Sequence, residues 1–136
     1  NLVAELGLSE RVLFFGFTRS VELFLATTDV FLQPSLRHEG VSQALLQAGS
    51  MGLPVVASDI GGLNEVIKDK ETGLLVRPNS TVELVAAVRA FDLNPDLREK
   101  CGERLGEYVR THCNQETMIE SMERIYQRAF ALSVSR

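Results

Sequence analysis

The sequence predicts an α/β domain in which a parallel sheet is flanked by helices and followed by a helical C-terminal tail. Three observations carry this reading. Short apolar runs alternate with segments of helical period through the first eighty residues. The runs lack the in–out alternation of a sheet with one wet face, so they read as strands buried on both sides and joined by helical crossovers. From Thr81 onward the pattern is helical alone. The fold is doubly wound or close to it, with no internal repeat and no long linker.

Taken in order, residues 1–7 read as the end of a helix, with Leu2, Val3 and Leu6 at helical spacing and Gly7 at the stop. The run RVLFFGF, residues 11–17, reads as a buried strand interrupted by Gly16. SVELFLATT places Val21, Phe24 and Leu25 on one helical face, with Ser20 as its N-cap. DVFLQPS is a short strand stopped by Pro34. Residues 41–51 form a helix ended by Gly52 and Pro54. PVVAS is the next strand, and Gly61-Gly62 lead into a short helix through Ile67. TGLLVRP is the last strand. Helices over about 81–91, 95–111 and 116–132 complete the chain, separated by LNPD and HCNQ.

Length and composition bound the function. At 136 residues the chain reads as one domain, residues 1–136, and its 45% hydrophobic and 24% charged content is that of a soluble globular protein. A net charge of −4 excludes the broad basic footprint of a nucleic-acid binder. No apolar run approaches the roughly 18 residues of a membrane helix, and no secretory signal opens the chain. Cys101 and Cys113 sit in polar, helix-like sequence without metal-type spacing and read as a reduced, cytosolic pair. The chain opens on Asn1 inside a helical pattern, which points to a piece of a longer protein.

In open parallel sheets ligands bind beyond the carboxyl ends of the strands, where loops hand over to helix N-termini. Two loops fit that description: PSLRHEGVSQ after the strand at 30–33 and SDIGGLNE after the strand at 55–57. Each is polar, contains glycine and ends at a helix start, where free N–H groups and the helix dipole suit an anion. Gly40 and Gly61-Gly62 allow the backbone to come close to a ligand. Blander readings stay open at this level. A Gly-Gly before a helix is also an ordinary turn, and Glu39 and Glu65 also suit a helix dipole. His38 and His112 have no partners at ligand spacing and read as surface histidines. Neither a G-x-G-x-x-G fingerprint nor a Walker loop is present, and no Ser or Cys has a nucleophile elbow.

The stretch from Pro34 to Val76 resembles the core of the C-terminal half of GT-B-fold retaining glycosyltransferases of the family 4, or group 1, type. The match begins at Glu39 and Gly40 and resumes at Ala48, Gly52, Pro54, Val55 and Val56. It continues through Gly61, Gly62 and Glu65 and closes on Thr72, Gly73, Leu74, Leu75 and Val76. The resemblance implies one Rossmann-like half of a GT-B fold that binds a nucleotide-sugar, UDP or GDP type, as substrate, with no metal and no other cofactor. By that likeness Glu39 contacts the donor sugar as the catalytic residue. The backbone at Gly40, Val41, Ser42 and Gln43 holds sugar and phosphate, Gln47 meets the ribose, and Gly61 and Gly62 complete the substrate loops.

Gln47 stands where the family has its second acid. An amide keeps one carbonyl acceptor and loses the charge. Hydrogen bonds to charged groups contribute about 1.5–3 kcal/mol against about 0.5–1.5 for neutral ones, so ribose binding is expected to survive in weakened or altered form. Asn64 stands where proline is frequent. The resemblance further implies an acceptor, glycan or lipid, bound by an N-terminal domain that this sequence lacks, together with the family's basic pair for the diphosphate. The chain alone is therefore expected to be inactive, cytoplasmic and free of membrane contact, although the full-length enzyme can be membrane-peripheral. Two alternatives stand beside this reading: a binding or scaffold module with a decayed donor site, and a sugar-nucleotide epimerase on the same fold.

Overall fold

A computed structural model describes residues 2–134 of the chain; Asn1, where the first helix reading begins, and the last two residues lie outside the described part. Three parallel strands, β1 (Phe31–Gln33), β2 (Val55–Ser58) and β3 (Leu74–Val76), form a sheet in the order β1-β2-β3. Phe31 pairs with Val55 and Val56 with Leu74, which sets the register. Seven helices surround or follow the strands among the described residues: α1 (Leu2–Glu5), α2 (Val21–Leu25), α3 (Gln43–Ser50), α4 (Leu63–Val66), α5 (Thr81–Leu93), α6 (Pro95–His112) and α7 (Gln115–Val134). The helices α3 and α4 are the crossovers that parallel pairing demands.

β2 is the centre of the molecule, buried along its whole length. Successive side chains of a strand point to opposite faces. Val55 and Ala57 accordingly join a cluster with Leu45, Ala48, Leu63, Ile67, Leu105 and Val109, contributed by α3, α4, the residue that follows α4, and α6. Val56 joins the opposite cluster with Leu74, Val76, Phe91 and Cys101, closed by α5 and α6. α6 lies close under α3 because the crossing is made of small residues. A Cβ added at Gly49 would sit 2.9 Å from Val109 Cγ2, and one at Gly102 would overlap the Gly52 carbonyl. α3, which carries the site at its N-terminus, is thereby seated on a helix and a sheet at once.

Helix boundaries follow their caps. Ser42 Oγ accepts from Leu45 N at the start of α3, Ser80 Oγ from Glu83 N at α5, and Asn94 Oδ1 from Leu97 N at α6, where Pro95 occupies the first turn. The Ser20 side chain makes no cap bond to α2; Thr18 Oγ1 accepts from Ser20 N instead.

Two expectations are corrected. The run at residues 11–17 forms no strand. Leu13, Phe14, Phe15 and Phe17 are 86%, 77%, 65% and 90% exposed, with Phe15 meeting Phe24 edge to face at 5.0 Å. A strand exists only where its N–H and C=O groups find a ladder partner, and among the described residues this segment has none. β1 likewise is not buried on both faces: it pairs with β2 alone, and Leu32 is exposed.

Candidate functional site

The two loops singled out by the sequence meet at the carboxyl ends of β1 and β2. Gly62 N donates to the Glu39 carbonyl at 2.9 Å. A Cβ on Gly61 would overlap Glu39 O, and one on Gly62 would overlap Gly40 C and Val41 N. The glycine pair is therefore what lets the β2–α4 loop lie against the backbone of Glu39, Gly40 and Val41. Gly61 has φ +44°, a conformation that other residues rarely adopt. At Gly40 the opposite holds, since an added Cβ would meet nothing within 4 Å.

The Glu39 side chain, half-buried, turns back toward the end of β1. Its Oε1 accepts from Ser35 Oγ at 2.6 Å and from Gln33 Nε2 at 3.1 Å. From Gly40 the chain runs through Val41 to Ser42, whose hydroxyl caps α3. The backbone N–H groups of Gln43 and Ala44 stand at the open start of that helix, ahead of Leu46 N, which bonds Ser42 O. The carboxylate and an anion-favouring helix start thus share one loop.

Gln43 and Gln47, one helical turn apart, are exposed on α3. Both line a groove of about 600 Å³ that also touches Val41, Ser50 and the α6–α7 junction at His112 and Cys113. The structure thus draws the predicted residues into two connected groups: Glu39, Gly40, Gly61 and Gly62 at the loop contact, and Val41, Gln43 and Gln47 along the groove, with Ser42 between them. His38 and Arg37 remain exposed on the loop.

Several motif residues serve the scaffold. Thr72 Oγ1, buried, accepts from Lys68 N at 2.8 Å and donates to Val66 O at 3.3 Å, closing the turn after α4. A Cβ on Gly73 would lie 2.8 Å from Val55 O. Asn64 Nδ2 donates to Asp59 Oδ1 at 2.8 Å, an anchor that a proline there could not make. Both cysteines are free thiols, and burial pushes their pKa values up.

Residues 1–107 match the family model for glycosyl transferases group 1. The chain belongs to the group 1 glycosyltransferases. Among relatives, N-acetyl-alpha-D-glucosaminyl L-malate synthase from Bacillus anthracis is 31% identical over 93% of this chain and 33% of its own length. A sucrose-phosphate synthase structure from Thermosynechococcus elongatus superposes with a TM-score of 0.85 at 30% identity, over 96% of this chain and 33% of that one. Anabaena Alr3699/HepE, solved in complex with UDP, shares the fold with a TM-score of 0.87 at 21% identity, over 93% of this chain and 35% of that one. This glycosyltransferase domain spans 23–38% of the length of curated relatives that it matches.

The sequence singles out Glu39 and the glycines but not Gln33 and Ser35, the hydrogen-bond partners of the carboxylate. The available signal was a polar Gln33 closing an otherwise apolar strand run. His112 is exposed, as the sequence implies, and it also borders the groove, a place that depends on α6 packing under α3 and that no local pattern encodes. No helix among the described residues is long and apolar enough to cross a membrane.

Proposed function

We propose that this domain is the donor-binding half of a retaining glycosyltransferase that transfers a sugar from a nucleotide-sugar to a glycan or lipid acceptor. The observation that carries the reading is the Glu39 carboxylate, held through Oε1 beside the open N-terminus of α3. In this reading the donor diphosphate lies at the N–H groups that begin α3, and negative charge building on the leaving group meets prearranged donors there. Gly40 leaves room for close approach on the side where a Cβ would stand, which is open to 4 Å. Glu39 faces the sugar, and Gln47 offers its amide to the ribose from the groove. No metal or other cofactor is needed in this scheme. The acceptor and the remaining diphosphate contacts come from a further domain of the full-length protein.

A second reading is favoured by one residue. Gln47 carries no charge toward a ribose, as a binding module with a decayed donor site would.

Calorimetric titration with UDP, GDP and ADP and with their glucose conjugates separates the two. The donor reading predicts saturable binding of one nucleotide, tightened by Gln47→Glu. Silence from the full-length protein toward all of them would overturn it.

A further inference from the structure

The hydrogen bonds at the end of β1 form a closed set that reaches beyond Glu39. We infer that Gln33 and Ser35 are positioning residues for the Glu39 carboxylate, fixing which of its oxygens faces the donor sugar; the inference rests on the donor-site reading above.

Gln33 uses both ends of its amide. A carboxylate only accepts hydrogen bonds, so the group 3.1 Å from Glu39 Oε1 must be the Gln33 NH₂. The amide oxygen is then turned to Ser42, whose hydroxyl donates to it at 3.5 Å. Ser35 adds the shortest bond of the set, 2.6 Å from Oγ to Oε1, and also accepts from Gln33 Nε2 at 3.4 Å. All three partners of Glu39 and Gln33 are half-buried, where such bonds are less diluted by water. Both donors to the carboxylate fall on Oε1, and Oε2 receives none from the described residues. One oxygen is thus committed to the scaffold and the other is left for a ligand.

The same amide joins two functions. Through Ser42 it reaches the residue that caps α3, so the orientation of the carboxylate is tied to the helix start proposed for the diphosphate. Gln33 itself is placed by the strand. Phe31 and Gln33 alternate with Leu32, and the pairing of Gln33 with Ala57 fixes its height at the carboxyl end of the sheet.

The discriminating readout is the ratio of nucleotide-sugar affinity to nucleotide affinity, because Glu39 is assigned to the sugar alone. Titrations with the nucleoside diphosphate that the wild type binds, and with its glucose conjugate, are run on the full-length protein and on Gln33→Leu, Ser35→Ala and Ser35→Thr. Gln33→Leu and Ser35→Ala are expected to lower the ratio by about tenfold or more, as loss of a charge-assisted bond implies. Nucleotide affinity should stay near that of the wild type in Ser35→Ala and fall by less than the conjugate's in Gln33→Leu, which also loses the bond from Ser42. Ser35→Thr, which keeps the hydroxyl, should restore the ratio. In a Glu39→Ala background Gln33→Leu should change the ratio no further. An unchanged ratio in both loss variants, or equal falls in both affinities, would overturn the positioning role while leaving the donor site standing. A wild type that binds the conjugate no better than the bare nucleotide would overturn the assignment of Glu39 to the sugar, and the positioning role with it.

Discussion

Two glycines on facing loops should respond to alanine in opposite ways. At Gly62 the new methyl would overlap Gly40 C and Val41 N and stand 2.8 Å from Gly40 O. The obstacle is backbone, which cannot rotate aside. Overpacking of this kind costs about 1–3 kcal/mol. Displacing the loop also strains the Gly62 N to Glu39 O bond, a contribution of about 0.5–1.5 kcal/mol. Together these amount to about 2–4 kcal/mol, or a fall of about 5–15 °C in melting midpoint for a domain of this size. At Gly40 nothing lies within 4 Å of an added Cβ, so Gly40→Ala should leave stability within about 0.5 kcal/mol of the wild type. If a ligand approaches the backbone there, the same methyl should weaken nucleotide-sugar binding about tenfold or more. Urea melts followed by circular dichroism give the first quantity and calorimetry gives the second. Equal destabilisation by both variants would refute the loop geometry. Wild-type affinity in Gly40→Ala would refute the close approach.

Thr72→Val should destabilise by about 1–3 kcal/mol, read as a lower urea midpoint, because it leaves Lys68 N and Val66 O without their shared hydroxyl in a buried turn. Thiol alkylation should be slow at both cysteines in the folded protein at neutral pH and accelerate as pH rises, since burial raises each pKa and so reduces the thiolate fraction. Cys113, half-buried, should react before Cys101, which is fully buried; mass spectrometry of partly labelled protein shows the order.

What could be read from the sequence follows from how local each signal is. β2 was legible because Val55, Val56 and Ala57 form an unbroken apolar run between Pro54 and Ser58, and both faces of that run are in fact covered. The same logic failed for residues 11–17. Their composition is as strand-like as that of β2, but strand formation depends on a partner that composition does not encode. The long helices were plain from their period and from the LNPD break, where Asn94 caps α6 and Pro95 opens it. At the site, Glu39, Gly40 and the glycine pair stood out as loops at helix starts. That the glycines exist to press one loop onto the other became visible only in space, because it depends on the pairing of β1 with β2. Gln33 was hidden for a related reason: its amide is read by residues two and six positions on, across a turn without helical or strand period.

The central claim, that Glu39 faces a donor sugar, is tested most directly by Glu39→Gln in the full-length protein. That change keeps the volume and removes the charge. Affinity is measured for the bound nucleotide and for its glucose conjugate, with a melting curve as control. The account predicts unchanged nucleotide affinity, an unchanged fold, and loss of the preference for the conjugate. A variant that kept the preference intact would contradict it.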